Sequence, residues 1–275
     1  MAGILYVVGT PIGNLGDFSP RAVQVLSECD FIAAEDTRVT IKLLNHFGIK
    51  KPMVSYYEHN RAQRGGVIID RLLNGENCAL VSDAGMPIIS DPGEDLTKLC
   101  HENGIQVLAV PGPCAFVTAL AISGMPSGRF TFEGFLTVSK QNRKKHLEEL
   151  INEKRTMIFY EAPHKLASTL SDMAKYFGNR NIALVKEITK IHENVERTTL
   201  FEAAEKYKDG SAKGEYVLIV EGKPEEEEKE ITIDVAVELA LRLVADGMSK
   251  NEAAKEIAKK TGLKKSDIYK SLQNG

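Results

Sequence analysis

Residues 80–93, LVSDAGMPIISDPG, decide how the chain is read. An apolar run from Cys78 to Val81 stops at Ser82-Asp83-Ala84-Gly85, and a second break follows at Ser90-Asp91-Pro92-Gly93. An apolar run, a break and a helix start are how a buried parallel strand delivers a loop to the carboxyl edge of its sheet. Open α/β folds bind ligands at such edges. A plain connection needs one Gly or Asp, whereas two Asp, two Gly and two Pro lie between Asp83 and Gly93. The stretch therefore predicts a binding loop. Asp91 is expected to cap a helix starting near Pro92, a residue suited to the first helical position.

The same pattern occurs twice more. Ile4–Val8 feeds GTPIGN (Gly9–Asn14), and Gln106–Val110 feeds Pro111-Gly112-Pro113-Cys114-Ala115 and a small-residue helix reaching Ser123. Parallel strands bring all three loops to one edge. Glycine lets the backbone approach a ligand closely, but Pro11 stands where a dinucleotide fingerprint needs Gly, so GTPIGN is not one. The strand Phe31–Ala34 ends in Glu35-Asp36-Thr37-Arg38. There Asp36 suits either a ribose hydroxyl or the cap of the helix Val39–Phe47. A short strand, Met53–Tyr57, leads to Glu58-His59-Asn60-Arg61, where His59 is a candidate base without a visible partner.

Beyond Gly124–Gly128, read as a hinge, come Phe130–Phe135 and the basic segment Lys140–His146. Arg143, Lys144 and Lys145 are its candidate phosphate contacts, with Arg38 and Arg61 as a second candidate surface. The strand Thr156–Tyr160 delivers Glu161 ahead of the helix Leu166–Phe177. Ile182–Val185, continued through residues 186–190, Val195–Phe201 and Glu215–Val220 read as further strands, and the lost alternation predicts a mixed sheet. The expected divisions are an α/β domain over residues 1–123, a second over 129–222, an acidic linker over 223–230 and a helical tail over 231–275. The tail has the outline of a helix-turn-helix around Thr261-Gly262.

The bulk properties narrow the class. The 275 residues predict two domains, and 43% hydrophobic with 27% charged residues is an ordinary globular composition. No apolar run approaches the roughly 18 residues of a membrane span. The chain enters Ile4–Val8 without a basic region or cleavage site, so no signal peptide is expected. Cys29, Cys78, Cys100 and Cys114 lie far apart with no CxxC pair, which points away from zinc or disulfides and fits a reducing cytoplasm. A net charge of −3 argues against coating nucleic acid nonspecifically but leaves room for a local basic patch on a folded RNA.

GTPIGN, AEDTR (34–38), SDAGMPIISDPG (82–93), PGPCA (111–115) and FYEAPH (159–164) together closely resemble the ribosomal RNA small-subunit methyltransferase I family of the tetrapyrrole-methylase superfamily. The resemblance spans the whole chain. It implies two α/β/α domains with a small helical module, a homodimer, and S-adenosyl-L-methionine bound in the cleft. The implied reaction is 2′-O-methylation of a cytidine ribose in the decoding region of small-subunit RNA; no metal-ligand cluster is visible in the sequence, so no metal is expected. By the superfamily pattern Pro11, Ser82, Asp83, Ala84, Cys114, Ala115 and Glu161 would line the donor pocket. Asp36, His59, Glu161, Glu187 and Lys190 remain open as the group that assists the acceptor hydroxyl. Two other readings compete: a tetrapyrrole C-methyltransferase on the same fold, and a non-catalytic RNA-binding assembly factor.

Overall fold

The structure, a computed structural model, describes residues 1–91, 93–224 and 232–274. Pro92 and most of the expected acidic linker therefore lie outside the described residues. Contacts divide the chain into two compact units, residues 1–224 and 225–275.

In the first unit β1 (Ile4–Val8), β2 (Phe31–Ala34), β3 (Met53–Ser55), β4 (Cys78–Val81) and β5 (Gln106–Val110) form a wholly parallel sheet. Its order is β3-β2-β4-β1-β5. The chain leaves β1 toward β2 and leaves β4 toward β5, in opposite directions across the sheet. The connecting helices consequently fall on opposite faces. α1 (Pro20–Glu28) and α2 (Thr37–His46) bury Ala22, Leu26 and Leu44 on one face, while α3 (Arg61–Leu73) and α4 (Glu94–Glu102) bury Ile68, Leu72, Leu96 and Cys100 on the other. The ends of β1 and β4 thus meet at a topological switch point, the place where such sheets leave a crevice.

β6 (Phe130–Phe135), β7 (Thr156–Glu161), β8 (Asn181–Lys186), β9 (Asn194–Thr199) and β10 (Tyr216–Val220) make the second sheet, ordered β6-β7-β10-β8-β9. It is mixed: β6 and β7 are parallel, and β10 runs antiparallel to both β7 and β8. Every residue of the central β10 is buried. α6 (Lys140–Glu149), α7 (Pro163–Phe177) and α8 (Leu200–Lys206) cover one face through Leu147, Leu166, Leu170 and Leu200. The other face receives α5 (Ala115–Ser123), whose Ala119 and Leu120 pack on Ile158, Ala183 and Ile219. α5 follows the first sheet in sequence but packs on the second, which joins both sheets in one unit.

Four local expectations change. Asp91 does not cap α4: Gly93, with φ 139°, occupies the cap position and no side chain bonds there. The third strand stops at Ser55 because Asn60 accepts the Tyr57 N–H at 2.9 Å and donates to the Ser55 carbonyl at 3.0 Å. β8 stops at Lys186, since Glu187 (φ 51°) and Thr189 (φ 64°) turn left-handed, a conformation no strand tolerates. β9 ends at Thr199, where Thr199 and Glu202 form a reciprocal capping box and start α8, so Leu200 and Phe201 are helical.

The second unit contains α9 (Ile233–Ala245), α10 (Lys250–Thr261) and α11 (Lys265–Asn274) around Ala236, Ala240, Ala254, Ile257, Ile268 and Leu272. Gly262, left-handed at φ 72°, ends α10. Among the described residues, no helix is long and apolar enough to cross a membrane.

Candidate active site

The three glycine-proline loops converge as a knot of backbone. Across the loops after β1 and β4, Thr10 N–H donates to the Gly85 carbonyl at 2.9 Å and Gly85 N–H returns a bond to the Thr10 carbonyl at 3.1 Å. The Thr10 hydroxyl donates to the Ser82 carbonyl at 3.2 Å. The loop after β5 presses on the first: a Cβ added to Gly9 would lie 2.7 Å from Gly112 Cα, so no side chain fits between them.

Against this knot opens a cavity of about 340 Å³, within the range of small organic ligands. Ile12, Asp83, Ala84, Met86, Cys114 and Ala115 line it from the first sheet's loops, with Glu35 and Asp91 beside them. Tyr160, Glu161, Val185, Lys190 and Glu215 line it from the second sheet. Glu215 joins the others because β10 runs antiparallel to β7 and β8. In that register Tyr216 lies opposite both Glu161 and Lys186, and the start of β10 shares their edge.

Negative charge dominates this cavity. Burial pushes the Asp91 carboxyl up to about 6, with the Glu35 charge adding to the shift and a Ser82 hydrogen bond opposing it. Burial likewise raises Glu35 and Asp83, and each is raised further by neighbouring acids. Asp83 also braces the wall: its carboxylate accepts the Asp36 N–H at 3.1 Å, and its own N–H donates to Glu35 at 3.3 Å. Carboxylates crowded in this way favour a cationic ligand, whose charge relieves both desolvation and mutual repulsion. Strain accompanies the crowding, since Ile88 (φ 80°) and Ser90 (φ 66°) in the same loop are left-handed without being glycine.

The opposite wall is held from behind. Glu161 is 3% exposed. Its carboxylate accepts the Ala162 N–H at 2.8 Å and the Thr169 hydroxyl. Thr169 in turn accepts a bond from Arg143 at 3.0 Å, and Arg143 is anchored to Asp172 at 2.6 Å. Lys190 Nζ lies 3.0 Å from Glu187 and 2.7 Å from Glu215. Partial burial lowers its pKa, but bonds to these two carboxylates outweigh that and raise it. The Tyr160 hydroxyl accepts the Phe116 N–H at 3.2 Å, and burial pushes it up to about 12.

Of the residues singled out in the sequence, Asp83, Ala84, Cys114, Ala115, Glu161 and Lys190 reach the cavity wall. Ile12 takes the place expected of Pro11, and Ser82 is buried behind the loop. Asp36 caps α2 by accepting the Arg38 N–H at 2.8 Å and pairs with the Arg38 guanidinium, which holds its carboxyl at about 2. A carboxylate so satisfied is a weak base. Glu187 braces Lys190 and accepts the Glu215 N–H at 2.9 Å. His59 contacts the Tyr57 ring away from the cavity lining. Arg61 pairs with Glu58 and Asp95, and Arg38 is largely exposed. Arg143 departs most from expectation: with its side chain 12% exposed, it faces Asp172 and Thr169 rather than solvent, unlike the exposed cation that a phosphate contact calls for. Lys144 and Lys145 stay exposed and pair one turn on with Glu148 and Glu149. The sequence reading missed Glu35, Tyr160 and Glu215 as lining residues and gave Asp91 only a capping role. Glu35 was findable in the acidic run after β2, while Glu215 needed the strand direction.

The family described as Tetrapyrrole (Corrin/Porphyrin) Methylases matches residues 4–204. A protein of Halalkalibacterium halodurans named ribosomal RNA small subunit methyltransferase I is 47% identical over 270 residues, covering 97% of this chain and 93% of its own. One of that name from Synechocystis is 43% identical over 97% of this chain and 96% of its own. The chain belongs to the small-subunit ribosomal RNA methyltransferase I family of the tetrapyrrole methylases. Family likeness extends to the fold: uroporphyrin-III C-methyltransferase from Thermus thermophilus, complexed with S-adenyl homocysteine, superposes with a TM-score of 0.54 at 14% identity, covering 79% of this chain and 96% of that one. At that identity the family's tetrapyrrole enzymes share this chain's architecture and not its sequence.

Proposed function

We infer that this protein is an S-adenosylmethionine-dependent methyltransferase of small-subunit ribosomal RNA, and we propose a cytidine ribose 2′-hydroxyl in the decoding region as its acceptor. The observation that carries this reading is the 42–47% identity, over nearly the full chain, to proteins bearing the ribosomal RNA methyltransferase name. The cavity supports it. S-adenosylmethionine is a small organic cation, and a 340 Å³ space walled by Glu35, Asp83 and Asp91 suits its positive charge. Ala84, Cys114 and Ala115 line the adjoining wall with small side chains. When bound, the donor supplies a methyl group already activated on a sulfonium.

The chain's own work is then positioning. Held against these walls, the donor would pass its methyl group to the acceptor hydroxyl, whose proton would go to water. Lys190, the one cation among the described lining residues, is placed to favour negative charge growing on that oxygen. Labelled donor incubated with small subunits lacking the modification, followed by nuclease mapping, tests the function. Label on a cytidine ribose is expected, and no label on small-subunit RNA would overturn the reading. In the same assay Lys190→Ala is expected to lower kcat by about 10²–10³-fold, the scale of losing one electrostatic stabiliser. Its donor affinity should hold, and Lys190→Arg should recover part of the rate.

We also propose a homodimer. α5 (AFVTALAIS) is apolar almost all round, yet leaves Val117 and Ile122 exposed after its other side has packed on the second sheet. Sedimentation at micromolar concentration is expected to give twice the chain mass.

A further inference from the structure

Lys190 belongs to two concavities. Besides the cavity above, it lines an open groove formed by Asn14 and Leu15, after β1, and by Glu187, Ile191 and His192, after β8. We propose that this groove receives the acceptor nucleoside, splayed out of its RNA, with the ribose toward Lys190 and the base against Ile191, His192 and Leu15. The proposal rests on the methyltransferase reading and extends it to the acceptor site.

The turn between β8 and β9 is built to face two ways. Glu187 and Thr189 adopt left-handed conformations at φ 51° and 64°, unusual for a long side chain and more so for a β-branched one. The turn is held by Lys190 N–H on the Glu187 carbonyl at 3.0 Å, Glu193 N–H on the Lys190 carbonyl at 3.1 Å, and Thr189 N–H on the Glu193 carboxylate at 2.5 Å. Lys190 thereby points to Glu187 and Glu215 at the cavity, while the next residue, Ile191, is 97% exposed. Leu15, 43% exposed, offers a second apolar surface across the groove. The β1 loop is pressed tightly on this turn: a Cβ on Gly13 would lie 2.5 Å from Lys190 Cγ. A bare isoleucine on a rigid turn beside a cavity lysine has no role in holding the fold. Unpaired RNA bases are recognised by stacking and apolar contact, and enzymes acting on nucleotides take them out of the stack. In-line transfer further requires the acceptor to border the donor, and this groove does so through Lys190.

The test is steady-state methylation of small subunits lacking the modification by the full-length protein, by Ile191→Ala/His192→Ala and by Ile191→Asp, with donor affinity measured by calorimetry for each. The double variant is expected to raise KM for subunits at least tenfold. Ile191→Asp should raise it further, by repelling phosphates, while donor Kd stays within twofold and thermal unfolding is unchanged, because the positions are exposed. A subunit KM equal to that of the unsubstituted protein overturns the groove while leaving the function standing. A parallel loss of donor affinity also overturns it, because the effect would then pass through the cavity. No transfer by the unsubstituted protein removes the function reading, and this inference with it.

Discussion

Asp91 shows how one residue can carry a different burden from the one its sequence context suggests. In the sequence it precedes a proline and a helix, which is the place of a cap. In the fold Gly93 takes that place, and the Asp91 carboxyl enters a wall already holding Glu35 and Asp83. Its pKa is raised to about 6, so the folded protein holds a proton that the unfolded chain releases near pH 4. Its favourable contribution is fully present below pH 4 and is lost as pH rises through about 6. Asp91→Asn should therefore stabilise the free protein at pH 7.5, on the order of 1 kcal/mol after solvent screening, and give no gain at pH 4. Thermal unfolding at both pH values measures this. A cationic donor prefers the ionised carboxylate, so donor affinity should weaken as pH falls through 6, and calorimetry should find that dependence flattened in Asp91→Asn.

At the scale of elements, α6 separates what charge patterning reveals from what it hides. Lys140–His146 reads as a uniform basic surface, yet Arg143 points inward and supports Glu161 through Thr169, while Lys144 and Lys145 remain in water. Replacing Lys144 and Lys145 with Ala should make the slope of log subunit affinity against log salt shallower by about 1.4–1.8, if each lysine meets one phosphate. Arg143→Ala should act otherwise. It removes the partner of Asp172 and one of the two bonds of the Thr169 hydroxyl, costs about 1–3 kcal/mol of stability, and weakens donor binding through Glu161 with little change in the salt slope. Salt-series binding and denaturant melts distinguish the two. In the first sheet β1, β2, β4 and β5 were legible because each is an apolar run closed within two residues by Gly, Pro or Asp, with β4 and its loop the clearest case, whereas β3 runs on into Tyr56-Tyr57 with no such stop. The region after β8 was not legible, because Lys186–Lys190 alternates like a strand and only the three-dimensional pairing of Glu187 with Lys190 and Glu215 turns it. Asp83 was visible as a cavity residue from its loop and Glu161 through the family resemblance, whereas Glu215 was not: it reaches the shared edge only because β10 runs backward.

At the scale of the molecule, both sheets, the cavity and the groove lie within residues 1–224, and the three C-terminal helices have their own apolar core. We propose that this helical unit docks on RNA: from Ile231 to Gly275 eight basic residues face six acidic ones, and Lys259, Lys260, Lys264 and Lys265 are exposed around the α10–α11 turn. Ending the chain after Pro224 should leave donor affinity within twofold by calorimetry and weaken subunit binding at least tenfold in filter binding. Loss of donor affinity in a folded truncation would assign the tail to the donor site instead.

Glu35, Asp83 and Asp91 also bear on how the enzyme clears itself between turnovers. Three acids in one recess hold a sulfonium more firmly than the neutral thioether that remains once the methyl has gone. The spent donor should therefore leave faster than its parent, and inhibition by accumulated product should be mild near neutral pH. As protonation of Asp91 removes the advantage of the charged form, exchange of spent for fresh donor should slow toward acidic pH.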